Sequence, residues 1–411
     1  MSRPEVKLQR MDGPSRNVYA TGGALGGGDL VTDAWGIQKI SVPQSLFHGL
    51  WTYDIPETMW FMYENGTQVY SSTNIISVGG VAQITADSTN TTVTLESREC
   101  PRYQPNRGHL FSASGWMPNK TSDGVRDFGL FTTENGVFFR LKSDGLLYAV
   151  LRRASVDVLE ELIDTSALIG FDVEKNNVYD IQFQWRSAGN YKFFIGDPAT
   201  GASKLVHCFN LLGTLTSASM ENPALPIGIK ATRTTADVVV NMGCVDITGE
   251  NGMLDKEQYS SAVTLQYSGS GASWPVIVIR NPLQISGETN TRTTTLARIT
   301  CNANKKTYFQ VWTTRDPTAF TGPTYKVINS GSYLETDSTD MDATAVRATA
   351  VNTALCRLVT TINVEANVRA QTDNPYRGRI EFPLVRGDYL VVTCNDHTAT
   401  ADCVVEFGEQ I

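Results

Sequence analysis

Residues Arg102 to Arg153 read RYQPNRGHLFSASGWMPNKTSDGVRDFGLFTTENGVFFRLKSDGLLYAVLRR. The apolar-aromatic segments Gly108–Trp116, Phe128–Thr132 and Val137–Lys142 are each only a few residues long and end in Gly, Asn, Asp or Pro, a pattern of strands and not of helices. Asn135-Gly136 and Asp144-Gly145 supply the positive φ that two-residue hairpin turns require. The stretch is therefore expected to be a meander of strand, turn, strand, turn, strand. Such a meander is marginal alone and needs a second layer against its apolar face.

The rest of the chain supplies that layer. Strands are expected at Gln68–Tyr70, Asn74–Val78, Ala82–Ala86 and Thr91–Arg98, then across a hairpin from Val178 to Ile195, and finally at Ile227–Thr232 and Asp237–Ile247. Ser155–Ile169 fits either a short amphipathic helix or another strand. A polar break, Glu250–Lys256, precedes a second series of short strands that begins at Ala262 and ends at Cys403–Phe407. Asp340–Ala354 interrupts this series as a helical turn or a loop. The fold class is all-β: a lectin-like antiparallel sandwich over 46–250 and a jelly-roll-like or immunoglobulin-like sandwich over 257–411. An extended Gly-rich arm over 1–45 leads into them. The arm's TGGALGGGD run lacks the Lys-Ser/Thr of a phosphate loop and has no strand before it.

Composition narrows the function. A net charge of −8 with scattered basic residues argues against a nucleic-acid partner. No run approaches the roughly 20 apolar residues of a membrane span, and the N-terminal residues lack a signal peptide's apolar core. Synthesis in a cytoplasm, with no membrane partner, is expected. The seven cysteines are widely spaced, without C-x-x-C or paired His, so no zinc site is expected and free buried thiols are. A bond between Cys394 and Cys403 would need them to flank one hairpin.

A glycosidase needs two carboxylates flanking the scissile bond. Asp172 and Glu174 have such a spacing, and Glu134 with Glu160-Glu161 more loosely, but none sits among the aromatics of a sugar cleft. The acidic run Glu335, Asp337, Asp340, Asp342 lacks the Gly and terminal Glu of a calcium loop. The four histidines are isolated, and no nucleophile-elbow pattern is present. No catalytic, cofactor-binding or metal-binding residue is assigned. Trp35, Phe47, Trp51, Tyr53 and Trp60 crowd one segment and serve either a core or an interface; the assembly reading takes them as an interface.

Two stretches carry a resemblance. DAWGIQKISVPQSLFHGLWTYD, Asp33–Asp54, is similar to the D-A-F-G-R-x-R-V-S-x-P-x-T-L-F-D entry of structural proteins of tailed-bacteriophage virions. RYQPNRG with GVRDFGLFTTENGVFFRLKSDGLLYAVLRR resembles the Y-Q-P-G-K-S and N-G-x-F-F core of the same proteins. Ile37 and Lys39 stand where Arg is usual, Asn106 where Gly is, and Asp127 where a basic residue precedes Phe128-Gly129. The resemblance covers about the first 150 residues. It implies a non-enzymatic virion protein made in the bacterial host, a capsid decoration or minor capsid protein assembled through its arm. Implied partners are capsid or tail subunits and further copies of the chain, a trimer being expected. A weaker architectural similarity to concanavalin-type lectins implies the alternative of a tail, baseplate or fibre-associated receptor module binding a host surface glycan.

Overall fold

The computed structural model describes residues 7–8, 16–17 and 43–410, except 106, 122, 251–256, 264–266, 269–273, 322–324, 329–331, 333, 338–349, 366–369, 374–382 and 396–399. Trp35, Asp340 and Asp342 lie outside the described residues. No α-helix occurs among those described. In the arm, β1 (Lys7–Leu8) pairs antiparallel with β2 (Arg16–Asn17).

The first sandwich is built from β3 (Pro43–Gly49), β4 (Trp60–Glu64), β5 (Thr67–Val69), β6 (Ile75–Val78), β7 (Val81–Ala86) and β8 (Thr92–Ser97). It continues with β9 (His109–Trp116), β10 (Gly124–Phe131), β11 (Gly136–Leu141), β12 (Leu147–Arg153), β13 (Val156–Leu162) and β14 (Asn177–Gln184). It closes with β15 (Asn190–Gly196), β16 (Ser203–Asn210), β17 (Ile227–Arg233) and β18 (Val238–Glu250). One eight-stranded sheet has the order β13-β12-β11-β10-β17-β8-β4-β5. The facing sheet runs β16-β15-β14-β9-β18-β7-β6, with β3 laid along the second half of β18.

Alternation explains both layers. Along β7, β8 and β9 every second residue is buried, which places Ala82, Ile84, Val93, Leu95, Phe111 and Ala113 in the core between the sheets. The expected meander is corrected in one respect. β10, β11 and β12 do run as consecutive antiparallel neighbours, but β9 pairs with β14 and β18 in the opposite sheet. The turn after Trp116, with Pro118 and Asn119 at φ +54°, carries the chain from one layer to the other. The hairpin loops are also longer than two residues: Thr132–Asn135 and Lys142–Leu146 close them, the second with Gly145 at φ +76°. Of the two readings for Ser155–Ile169 the strand is realised, as β13.

The second unit is likewise two antiparallel sheets. Glu257–Val263, Thr400–Gln410, Thr294–Ala303 and Ala370–Asp373 adjoin in one. In the other, Trp274–Arg280, Tyr389–Cys394, Thr307–Thr314 and Arg357–Val364 are consecutive neighbours. Val276, Phe309, Val392, Cys403 and Phe407 meet between them. Cys394 and Cys403 do not flank one hairpin; each lies in a different sheet, and Cys403 faces Cys301 across a strand pair with sulfurs 3.7 Å apart. Most of Asp340–Ala354 lies outside the described residues.

Candidate binding cleft and charged sheet face

The aromatic segment is a second place where expectation and structure part. Trp51 and Trp60 are buried with ring centroids 4.5 Å apart, and Phe47 meets Trp60 edge-on at 5.5 Å. The Trp51 indole N–H donates to the Gly243 carbonyl beside the irregular register of β18. Phe47, Trp51 and Trp60 therefore do not form an outer interface. Their area is spent inside the first core, because β3 and β4 enter different sheets and turn these rings toward each other. Of the four described residues of this set, Tyr53 alone stays out, 95% exposed.

On its outward side the same segment lines a cleft of about 550 Å³ between the two sandwiches. Phe47, Thr58 and Met59 form one wall, Leu355, Leu384 and Val385 the other, and Arg98 and Asp388 lie at its base. Glu57, Asp316 and Arg357 add charge to the lining.

Beside this cleft the two units are clasped together. Arg98 follows β8, and Arg386 sits in the tight turn Val385-Arg-Gly-Asp388, with Gly387 at φ +78°. Arg98 Nη2 donates to Asp388 Oδ1 at 2.7 Å and to the Arg386 carbonyl at 3.4 Å. Arg386 donates to Glu96, to the Ser97 carbonyl at 2.9 Å and, through Nε, to the Arg98 carbonyl at 3.3 Å. Both guanidinium groups lie over the Phe61 ring, at 4.2 and 5.1 Å from its centroid. Arg315 completes the base through Asp388 Oδ1 at 3.1 Å, while the Tyr70 hydroxyl donates to the Arg315 carbonyl.

Burial sets the electrostatics here. Burial pushes the Glu96 carboxyl up against the pull of Arg386, and the Asp388 carboxyl up against Arg98 and Arg315. It also brings Arg98 down to about 10. The Cys100 thiol is pushed up to about 12, which leaves it un-ionised at neutral pH.

The remainder of the eight-stranded sheet's outer face is a charged ladder. Strand register lines up Tyr63, Thr94, Lys230, Asp127, Arg140, Tyr148 and Leu162 in one row across it. The next row is Phe61, Glu96, Gly228, Gly129, Phe138, Val150 and Glu160. A Cβ on Gly228 would stand 2.8 Å from the Phe131 ring, so glycine lets that ring lie against the strand. Arg140 binds Asp127 through two bonds, 2.7 and 2.9 Å, and reaches Asp157 at 2.6 Å. Arg152 bonds the other Asp157 oxygen at 2.7 Å, and these contacts hold the Asp157 carboxyl below its usual range despite its burial. Arg140 and Arg152 both cover Phe138. Asp127 thus anchors this ladder.

The carboxylates considered for glycoside chemistry are each tied into structural contacts. Glu160 pairs with Lys142, and Glu134 accepts from Thr289 of the second unit at 2.9 Å. Asp172 and Glu174 hold the turn at Lys120, Glu174 Oε1 accepting the Lys120 N–H at 2.8 Å. Glu335 pairs with Arg280. Among the described residues no cluster of His, Cys, Asp or Glu could hold a metal ion.

Sequence reasoning missed the clasp. Arg386-Gly-Asp388 carries a turn signal, but its partners lie some 290 positions away, at Glu96 and Arg98, and no local pattern marks them.

No protein-family model matches the chain, and no curated protein matches it. Among solved structures, a glycosyl hydrolase family protein from Mycobacterium fortuitum is 15% identical, covering 50% of this chain and 99% of its own at a TM-score of 0.37. The CBM2 module of the evolved Dit of Lactobacillus casei BL23 phage J-1 is 10% identical, covering 52% and 99% at 0.35. Arcelin-5, a lectin-like defence protein from Phaseolus vulgaris, is 8% identical, covering 50% and 98% at 0.33.

Proposed function

We propose that this chain is a non-enzymatic structural subunit of a tailed-phage virion, a capsid decoration or minor capsid protein, with other virion subunits and further copies of itself as partners. The observation that carries the reading is the reciprocal clasp of Arg98 and Arg386, which joins two sandwiches through buried ion pairs and backbone bonds. Such a joint suits a part that must keep its shape within a shell, whereas an enzyme that closes on substrate needs a hinge there. The Asp33–Asp54 and Arg102–Arg153 stretches, similar to phage structural proteins, support the same class. So does the ladder on the sheet face, where Asp127, Asp157 and Glu160 are each paired to a cation and none stands ready as a general acid. Localisation in the virion follows from the proposal.

The test is the copy number of the chain in purified particles, before and after tails are detached from heads. Many copies remaining with heads fit a shell component. A few copies travelling with tails move the protein to the adsorption apparatus, and absence from particles rejects the proposal. A glycan-binding receptor module is the second reading, favoured by the size of the cleft and its mixed apolar and charged lining. A glycan array probed with the full chain separates the two, since a purely structural subunit binds nothing on it.

A further inference from the structure

β13 ends the eight-stranded sheet, and among the described residues no strand pairs with its outer side. Edge strands are ordinarily protected by shortness, proline, outward charge or a covering segment. This one has a single bulge, at Val158 opposite Leu151 and Arg152, but it is seven residues long, lacks proline, and exposes Val156, Val158 and Leu162 at 59%, 45% and 53%. Its carboxylates divide into two groups. Asp157 and Glu160 are engaged by Arg140, Arg152 and Lys142 of the sheet behind, while the Glu161 side chain is 54% exposed, 3.4 Å from His207. The edge thus presents aliphatic area and residual negative charge.

A strand suited to it would be basic and would need a partner of its own. The β1–β2 ladder meets both conditions. It has only two residues per strand, too few to stand alone in water, and the first 19 residues carry Arg3, Lys7, Arg10 and Arg16 against Glu5 and Asp12. Residues 18–42 separate it from β3 and reach up to about 80 Å when extended, enough to leave the parent subunit.

We infer that the β1–β2 ladder of a second copy of this chain extends the eight-stranded sheet at β13, with Lys7 and Arg16 set against Glu161 and its neighbours. Main-chain bonds supply the adhesion, and the charges select the partner. The inference rests on the assembly reading above and names the surface that receives the arm.

The experiment uses the full chain, half of it isotopically heavy, with a photo-crosslinker at Val158. The expected crosslink joins Val158 to the peptide holding Lys7 or Arg16 in mixed heavy and light pairs, and sedimentation shows association that rises with concentration. Glu161→Lys alone, and Lys7→Glu with Arg16→Glu alone, each weaken association about tenfold, the worth of two exposed ion pairs. Combining them restores it. Crosslinks only within one chain, crosslinks from β13 to β13, or a monomer at every concentration overturn the inference. If deleting residues 1–34 abolishes incorporation into particles while Glu161→Lys incorporates normally, β13 is excluded as the receiver and the assembly reading stands.

Discussion

Arg98 and Arg386, 288 positions apart, each donate a hydrogen bond to the other's backbone carbonyl, at 3.4 and 3.3 Å. Each also pairs with a carboxylate of the opposite unit, Arg98 with Asp388 and Arg386 with Glu96, and Phe61 lies beneath both. The contact is two-way: withdrawing either arginine strips buried acceptors on the opposite unit of a donor, Arg98 serving Asp388 and the Arg386 carbonyl, Arg386 serving Glu96 and two carbonyls of the first unit.

Arg386→Met should therefore cost about 3–5 kcal/mol, because Glu96 and two carbonyls lose their donor while staying buried. Replacing both members, with Glu96→Leu added, should recover much of this, since a well-packed apolar pair avoids the desolvation penalty. Denaturant unfolding of the two variants measures the difference. The single variant also gains a pH signature. Burial already raises the Glu96 carboxyl, and without Arg386 it rises further. A carboxyl raised on folding loses stability as pH increases through and above its unfolded value, so Arg386→Met should be relatively more stable in acid than at neutrality.

The tryptophans and Tyr53 make opposite predictions. Trp51→Ala empties a site that is 1% exposed and should cost about 3–5 kcal/mol of the chain's own stability. Tyr53→Ala, at the exposed position of the same segment, should change unfolding by less than about 0.5 kcal/mol. Thermal unfolding of the isolated chain checks both. A Trp51→Ala chain as stable as its parent would return that residue to an interface role.

Much of this molecule could be read before its structure was seen, because strand alternation is a local signal. The alternation of buried and half-buried residues along β7 and β8 is visible in VAQITA and TVTLES, and the Val178–Ile195 hairpin in its turn residues. What failed was sheet membership. His109–Trp116 alternates identically whether it neighbours β10 or crosses to β14, so its sequence cannot choose. The aromatic segment failed for a related reason: a ring's burial depends on which layer it meets, and Trp51 and Tyr53, two residues apart, end at opposite extremes. The clasp is further from local reading still, since every one of its pairs is long-range.

Thiol chemistry should follow burial. Cys208 and Cys244 are exposed, Cys356 is intermediate, and Cys100, Cys301, Cys394 and Cys403 are buried. A neutral alkylating reagent on the native chain should modify Cys208 and Cys244 first, and Cys356 slowly. The four buried thiols should react only on unfolding, Cys100 in particular because burial holds it un-ionised. Peptide mapping over time gives the order, and early modification of Cys301 or Cys403 would contradict the packing of the second core.

Acid should act first at His109. Its ring packs against both Tyr103 and Phe183, with centroids at 5.1 and 5.3 Å, and burial lowers its pKa from 6.5 to about 4. Between those values the unfolded chain binds a proton that the folded chain refuses. Stability is then complete above pH 6.5 and falls as pH drops toward 4, by about 3 kcal/mol from this one group. His109→Phe keeps a ring against Tyr103 and Phe183 but carries no titrating group, so its unfolding midpoint should be flatter across this window than that of the parent. Parallel slopes for the two proteins would mean that His109 accepts a proton as readily folded as unfolded, and the stacked site would then have to open in the native state.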